Sequence, residues 1–298
     1  MRAAIDLGSN SVLLAVVDDE GAVLHDEARV VGLGKGLGDG GRFAPDRMEA
    51  ALAAMADYAR TAESLGVPAD RVRAVATSAA RRATDAGAFF QRVAAETGLH
   101  IEVISGDEEA RLTWAGALSA LAVPDGTLMV VDLGGGSTEL AVGRGSLEWR
   151  HSYELGSVRL TESVLGDDVV PATPEHLAAL EAHARSVFES PAVPARIDAV
   201  IGVAGSVTTL VATALGLTRY DSARVHGSQL TDAMLAGFQD RLLGLDRRQR
   251  RAIFAVSPER ADYLLAGATI LRAALRVAGH DAMWVSDRGL RYGVLEGA

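Results

Sequence analysis

The sequence predicts an α/β protein built from two similar halves, and two observations lead to this prediction. Short apolar segments of strand length alternate with longer segments of helical periodicity, which is typical of a sheet with parallel strands covered by helices. A strand–turn–strand pattern near the start of the chain also recurs, with Asp132 in the place of Asp6. Matching flanks favour duplication, and chance similarity of two tight turns is the alternative.

The composition excludes several classes of protein. The chain has 298 residues, of which 49% are hydrophobic and 23% are charged. This length and hydrophobic content are enough to form a substantial core. It has no cysteine, which rules out disulfides, thiolate nucleophiles and zinc–cysteine sites and agrees with a reducing compartment. The first residues lack the apolar core of a signal peptide, and no apolar run is long enough to cross a membrane. We therefore expect a cytoplasmic protein with no membrane partner.

The charge balance argues against nucleic acid as a partner. The 29 basic side chains are outnumbered by 39 acidic ones, which gives a formal net charge of −10, whereas nucleic-acid binding usually needs a basic surface. Lys35 is the only lysine, so a side-chain contact to an anion is expected to use an arginine guanidinium. The codon bias of a GC-rich genome is the alternative explanation for this excess of arginine.

The first half begins with a predicted β-meander. Three strands are expected in succession, over residues 3–7, 12–17 and 22–31. A glycine-rich loop over 32–41 then interrupts the regular structure, and Pro45 opens an amphipathic helix that Gly66 ends. A strand, a helix and a strand follow, over 72–77, 85–97 and 101–104. This alternation predicts parallel pairing in the first half.

The second half repeats the meander. Its strands are expected over 128–133, 138–142 and 146–152. The later elements are helices over 174–188, 206–215, 231–243 and 258–277, with strands over 199–203 and 283–286. Pro124 and Gly126 indicate a loop between the two halves. We therefore divide the chain into domains 1–124 and 125–298. The last helix is free in this scheme to pack back on the first domain.

Three turns rich in small residues are candidates for binding phosphate. Small residues allow backbone N–H groups to approach an anion closely. In the first two turns, 6–11 and 132–137, Ser11 and Ser137 can add a hydroxyl donor. The third, 202–206, follows a predicted strand and opens a helix, whose N-terminus favours an anion. A plain tight turn is the alternative for each, and none has the lysine of a Walker loop.

Carboxylates lie beside these turns. Asp132 ends a predicted strand and Glu139 lies in the next one, so both can face one space and hold Mg²⁺ together with water. Asp6 takes the equivalent place in the first half, with a hydrogen-bonded turn as the alternative. The neighbours Glu108 and Glu109 fit the first turn of a helix, where acidic residues complement the helix dipole. A functional interpretation requires one of these two glutamates to act as a general base for water.

Five segments together resemble the exopolyphosphatase and guanosine pentaphosphate phosphohydrolase family, within the superfamily of actin-like ATPases, sugar kinases and Hsp70 chaperones. The segments are 6–11, 76–81, 105–111, 131–139 and 286–291. They span nearly the whole chain, and Gly-Ser-Asn-Ser and Gly-Gly-Ser-Thr-Glu stand where kinases and chaperones usually carry Gly-Gly-Thr. The resemblance implies an α/β fold of two duplicated ribonuclease H-like domains of the actin-like ATPase type, with a cleft between them.

The resemblance also implies roles for particular residues. The water-activating glutamate of the family corresponds to Glu109, and its acidic metal-site positions correspond to Asp132 and Glu139. The predicted phosphate-binding residues are Asn10, Ser11, Arg81, Gly134, Gly135, Gly136, Ser137, Gly205 and Ser206. The third turn reads Gly-Val-Ala-Gly-Ser and departs from the Gly-Thr form expected in the family.

The implied activity is in-line attack of water on a terminal phosphoryl group with Mg²⁺ as cofactor, or Mn²⁺ as an alternative. We expect inorganic polyphosphate as substrate, and short chains in particular, because the C-terminal helical region of the long family members is missing. Guanosine pentaphosphate is the alternative substrate, and a non-hydrolytic sensor and an ATP-dependent sugar kinase are the alternative functions. The oligomeric state stays open, with a homodimer as one alternative.

The sequence also contains a run of arginines over residues 247–251. This run is interpreted as an anion track or as a solvated helical face.

Overall fold

The computed structural model describes residues 1–37, 41–166, 171–194 and 196–297. The chain divides into two compact units, Met1–Gly116 with Leu290–Ala298, and Ala117–Gly289. The sequence-based division between residues 124 and 125 lies beyond this point, and the last helix belongs to the first unit. Part of the expected glycine-rich loop, residues 38–40, lies outside the described residues.

The first unit is a five-stranded mixed sheet with helices. Its strands are Arg2–Leu7 (β1), Ser11–Val17 (β2), Val23–Val30 (β3), Arg73–Ala76 (β4) and Ile101–Val103 (β5). Its helices are Pro45–Ser64 (α1), Ser78–Arg82 (α2), Ala86–Thr97 (α3), Gly106–Leu118 (α4), which runs into the second unit, and Leu290–Glu296 (α12), with a 3₁₀ turn at Ala69–Arg71. The strand order is β3-β2-β1-β4-β5, in which β1, β4 and β5 run parallel and the meander strands antiparallel.

Both faces of β1 and β2 are covered, which explains why these strands are almost continuously apolar. Ile5 and Leu14 belong to the core formed with α1 and α3, whereas Ala4 and Ala15 belong to a second cluster with α12. Gly293 of α12 lies against the backbone of Leu112 in α4, where a Cβ atom would overlap. The final helix is therefore packed directly on the sheet of the first unit.

The second unit contains a six-stranded mixed sheet. Its strands are Leu128–Leu133 (β6), Thr138–Arg144 (β7), Ser146–Tyr153 (β8), Ala199–Val203 (β9), Gln229–Thr231 (β10) and Ala282–Val285 (β11). Its helices are Ser157–Leu165 (α5), Pro174–Phe188 (α6), Ala204–Ala214 (α7), Ser222–Val225 (α8), Asp232–Leu242 (α9), Arg247–Ile253 (α10) and Leu264–Ala278 (α11), with a 3₁₀ helix at Pro258–Tyr263. The strand order is β10-β11-β9-β6-β7-β8.

The two sheets repeat one plan. In each, a three-stranded meander is extended beyond its first strand by two parallel strands: β4 pairs with β1 and β5 with β4 in the first unit, and β9 pairs with β6 and β11 with β9 in the second. The register agrees as well, since Leu7 pairs with Val12 and Leu133 with Thr138. The duplicated α/β architecture expected from the sequence is thus confirmed.

One predicted element differs in kind. The segment expected as a single helix over 258–277 is a 3₁₀ helix followed by α11, and α11 is the central helix of the second unit. Eleven residues of α11 are buried, and Thr269 among them accepts a hydrogen bond from Gln239 at 2.8 Å. In the described part of the chain, no helix is both long and apolar enough to cross a membrane.

Candidate active site

The first turn accepts backbone hydrogen bonds from the segment that follows β3. The Ser9 carbonyl accepts a hydrogen bond from the Gly34 N–H at 2.6 Å, and the Asn10 carbonyl accepts two bonds of 2.9 Å, from the N–H groups of Val31 and Gly32. Gly34 approaches so closely that an added Cβ would lie 3.0 Å from the Ser9 Cβ. Within the described residues the N–H groups of Ser9 and Asn10 have no protein acceptor, so they are available to an anion.

The buried carboxylate of the first unit belongs to Glu109. Its side chain is 9% exposed, and Arg81 Nη1 donates a hydrogen bond to its Oε2 at 2.8 Å. The same Nη1 donates to the carbonyl of Ile104 at 3.0 Å, so neither bond uses Nε or Nη2 of the guanidinium. The ion pair fixes the orientation of the carboxylate and leaves one edge of the guanidinium for a phosphate oxygen.

Glu108 has a different environment. It forms a two-bond ion pair with Arg111, at 2.8 and 2.7 Å, and its side chain is 40% exposed. The Ser105 hydroxyl accepts a hydrogen bond from the Glu108 N–H at 3.1 Å, which caps the start of α4. Ser105 therefore caps α4, while Glu109 is the glutamate that faces the protein interior.

The topology of the first unit explains why these groups lie near one another. The first turn follows β1, the segment with Arg81 follows β4, and the segment with Glu109 follows β5. Since the three strands are parallel, their carboxyl ends lie at one edge of the sheet, which is where open α/β sheets bind ligands. Asn10, Ser11, Arg81 and Glu109 are thus placed at the same edge.

The second turn is supported by the start of α5. The N–H of Ser157 donates to the Gly134 carbonyl, and the N–H groups of Val158 and Arg159 donate to the Gly135 carbonyl, at 3.0 to 3.1 Å. Gly156 lies so close to the turn that a Cβ there would overlap the backbone of Gly135. The N–H groups of Gly135 and Gly136 have no protein acceptor among the described residues, as in the first turn.

Asp132 and Glu139 form a carboxylate pair. They are directly opposite each other in the antiparallel pair β6–β7, and side chains so placed share a face of the sheet. They are 9% and 2% exposed, and the Ser152 hydroxyl donates to Glu139 Oε1 at 2.6 Å. In the first unit Leu13 stands opposite Asp6, so the acidic pair belongs to the second unit alone.

The donor set of this pair suits a hard divalent cation. No cluster of three or more histidine, cysteine, aspartate and glutamate side chains that could hold a metal occurs within residues 1–37, 41–166, 171–194 and 196–297. A pair of carboxylates with water and substrate oxygens is, however, the usual ligand set of Mg²⁺, which needs no full protein cage. Asp132 and Glu139 therefore fit Mg²⁺ better than they fit a structural zinc.

The third turn contains a feature that the sequence did not predict. The guanidinium of Arg260 lies directly over Gly205 at the start of α7, where any Cβ would overlap it. Ala204, just before, has a φ of 75°, a strained conformation for a residue other than glycine. Burial lowers the pKa of Arg260 to about 10, so it remains a cation at neutral pH.

A cation at the N-terminus of α7 adds to the positive end of the helix dipole. An anion bound there would therefore be attracted by Arg260 and by the first N–H groups of α7, and buried Ser206 offers a hydroxyl close by. Gly205 and Ser206 were expected from the sequence. Arg260 was not, because nothing in the order of residues connects one arginine among many with Gly205.

These features define a class of protein. Duplicated α/β sheets, small-residue turns at their carboxyl edges, an acidic pair suited to Mg²⁺ and a buried Glu–Arg pair are the parts of a phosphoryl-transfer enzyme. Residues 13–298 match the model of the Ppx/GppA phosphatase family, so the chain belongs to that family. The protein is a phosphoanhydride hydrolase with an actin-like fold, as the resemblance implied.

Named relatives support the assignment along the whole chain. Exopolyphosphatase 2 of Mycobacterium tuberculosis is 38% identical over 312 residues, covering 98% of this chain and 96% of the relative. The PPX-GPPA enzyme of Aquifex aeolicus has a solved structure with 33% identity and a TM-score of 0.79, over 99% of this chain and 98% of that one. A solved exopolyphosphatase-like protein has 31% identity and a TM-score of 0.90, with 99% and 97% coverage.

Proposed function

We propose that this protein is an exopolyphosphatase that removes the terminal phosphate of inorganic polyphosphate, with short chains as its preferred substrate. The observation that supports this most directly is the buried Glu109–Arg81 pair at the carboxyl edge of the first sheet. The similarity to Exopolyphosphatase 2 supports the substrate class. Glu109 is the proposed general base, and Arg81 and the glycine turns are the proposed phosphate contacts.

The proposed reaction begins with a water molecule that donates a hydrogen bond to the Glu109 carboxylate. As the water oxygen forms a bond to the terminal phosphorus, Glu109 accepts its proton, and the P–O bond to the next phosphate breaks. The products are inorganic phosphate and a polyphosphate one unit shorter. Arg81 offers Nε and Nη2 to the phosphoryl oxygens, and the N–H groups of the first turn, at the same sheet edge, are further donors to them.

Asp132 and Glu139 are the proposed ligands of Mg²⁺, with Mn²⁺ as an alternative. When bound, the ion would neutralise negative charge that develops on the phosphate oxygens. The buried carboxylates supply the negative charge that keeps the cation in place, and Ser152 holds Glu139 in its orientation at 2.6 Å.

The test compares phosphate release by the wild type with that of Glu109→Gln, and uses Glu108→Gln as the matched control. Loss of the general base should lower kcat by about 10²–10⁴-fold, while Glu108→Gln changes a neighbouring glutamate that is 40% exposed and should leave kcat near the wild-type value. Tripolyphosphate, long polyphosphate, guanosine pentaphosphate and ATP are compared with Mg²⁺ present.

The outcomes separate the alternatives. A kcat/KM that is highest for short polyphosphate supports the proposal, and one that is highest for guanosine pentaphosphate replaces the substrate. Binding without phosphate release from any of these compounds would support a sensor instead. Equal activity of Glu109→Gln and the wild type would remove Glu109 from the mechanism.

A further inference from the structure

The arginine run of α10 is a partly solvated helical face that also contacts one buried carboxylate. Arg250 is fully buried, and Arg247 and Arg251 both form ion pairs with Asp262, at 3.1 and 3.5 Å. The Asp262 side chain is only 5% exposed. Arg248 is exposed, and the side chains of Arg247 and Arg251 are 42% and 48% exposed. Two arginines of the run therefore pair with one buried carboxylate from its solvent side.

Asp262 and Arg260 belong to the same 3₁₀ helix, Pro258–Tyr263. Because a 3₁₀ helix has three residues per turn, residues two apart point about 120° away from each other. Asp262 accordingly meets α10, while Arg260 extends to Gly205 at the start of α7. One short helix thus connects the arginine run with the third turn.

The position of Arg260 depends on the 3₁₀ helix that carries it. Its cationic group lies at the positive end of α7, an end that favours anions. A buried carboxylate with one partner alone would also be weakly held, whereas Asp262 has ion pairs with both Arg247 and Arg251. The α10 ion pairs can therefore fix the 3₁₀ helix in place.

We propose that Asp262, held by Arg247 and Arg251, is a positioning residue that keeps the Arg260 guanidinium at the N-terminus of α7, ready to bind a phosphate group of the substrate. The inference rests on the proposed function for the chemical nature of the ligand, a chain of phosphates. It assigns α10 a role in substrate affinity and none in the chemical step.

The test is a double-mutant cycle on tripolyphosphate binding, measured by calorimetry in the Glu109→Gln protein so that hydrolysis does not interfere. Asp262→Asn should weaken binding about tenfold when Arg260 is present and have little further effect in Arg260→Gln, because interacting residues are not additive. Arg251→Gln, which removes one exposed partner, should have a smaller effect in the same direction. Thermal unfolding of each variant shows that it is folded.

Asp232→Asn is the matched control, because it breaks the two-bond ion pair with Arg272 between α9 and α11 in the same unit. It should change stability without altering tripolyphosphate affinity. An Asp262→Asn effect of equal size with and without Arg260, or no effect on affinity, would overturn the inference. Absence of tripolyphosphate binding to the Glu109→Gln protein would also overturn it.

The two proposals fail separately. Coupled binding in a wild type that releases no phosphate from polyphosphate would sustain the positioning role and refute the exopolyphosphatase assignment. Uncoupled binding in an active exopolyphosphatase would do the reverse. In active enzyme, Asp262→Asn should raise KM and leave kcat within about twofold, which is the pattern of lost substrate binding.

Discussion

At the scale of single residues, the second unit concentrates negative charge where the first does not. Asp132 and Glu139 face each other across β6 and β7, and the equivalent pair in the first unit is Asp6 and Leu13. Two buried carboxylates side by side repel each other unless a cation or a proton lies between them. The pair is therefore expected to destabilise the metal-free protein.

This gives a prediction for Asp132→Asn, which keeps the shape of the side chain and removes its charge. Without a metal the variant should be more stable than the wild type, because the repulsion with Glu139 is gone. Addition of Mg²⁺ should raise the Tm of the wild type and have little effect on the variant. Thermal unfolding with and without Mg²⁺ measures both effects, and an equal Mg²⁺ response in both proteins would contradict the proposed metal site.

A second residue-scale prediction concerns Gly205. Alanine is the better helix former by up to about 1 kcal/mol, so Gly205→Ala should not lower the stability of α7 itself. Its methyl group would nevertheless overlap the Arg260 guanidinium and displace it. We expect a raised KM for polyphosphate with an unchanged kcat.

Gly237→Ala is the matched control for this change. Gly237 also lies within a helix, α9, and an added Cβ there meets no atom within 4 Å. It should leave KM unchanged. A normal KM for Gly205→Ala would show that the contact between Gly205 and Arg260 has no part in substrate binding.

At the scale of elements, the sequence predicted the strands and helices whose bounds depend on local sequence patterns. The strands of both meanders, α6 and β9 all begin and end within about two residues of the expected positions, since their apolar periodicity and their flanking glycine and proline residues are local signals. Helices α2 and α5 and strand β10 were not predicted, and α5 and β10 lack such signals. Helix α5 starts after Gly156 without a side-chain cap, and β10 has only three residues and forms by pairing with β11.

The site shows the same division. The turns, Glu109 and the acidic pair lie within local motifs, so their residues could be named from the sequence. The partners that orient them come from distant segments, namely Ile104 for Arg81, Ser152 for Glu139 and Arg260 for Gly205. Side-chain contacts of this kind depend on tertiary packing and leave no periodic pattern.

The support of the second turn by α5 leads to a prediction at this scale. In Gly156→Ala the new Cβ would overlap the Gly135 backbone, which cannot rotate away as a side chain could. Overpacking of this kind costs about 1–3 kcal/mol, and it should shift the turn and lower kcat/KM as well. Gly87→Ala in α3, where a Cβ meets no atom within 4 Å, is the control. Denaturant unfolding and phosphate release measure the two effects, and wild-type behaviour of Gly156→Ala would refute the supporting role of α5.

At the scale of the whole molecule, the chain passes between the two units twice, after Gly116 and after Gly289. Within the second unit the segments next to these two points are fastened by one side chain, His226. Its Nε2 lies 3.0 Å from the Ala120 carbonyl, and its Nδ1 lies 2.9 Å from Asp287 Oδ1. Both partners are acceptors, so only the protonated imidazolium can donate to both at once.

This geometry predicts a pH-dependent stability. The hydrogen bond to Asp287 raises the pKa of His226 above its ordinary value of 6.5, and burial opposes the shift only in part. A raised pKa in the folded state means that the folded protein binds the proton more tightly than the unfolded chain. The resulting stabilisation is fully present below pH 6.5 and is lost as the pH rises through the folded-state pKa. The free energy of unfolding of the wild type should fall over that interval.

Two variants test this prediction. His226→Gln keeps a donor but cannot be protonated, so it should reduce the slope of the unfolding free energy against pH. His183→Gln, at an exposed position of α6, should leave that slope unchanged. Equal slopes in the wild type and His226→Gln, measured by denaturant unfolding between pH 6 and pH 8.5, would show that protonation of His226 does not fasten the two segments.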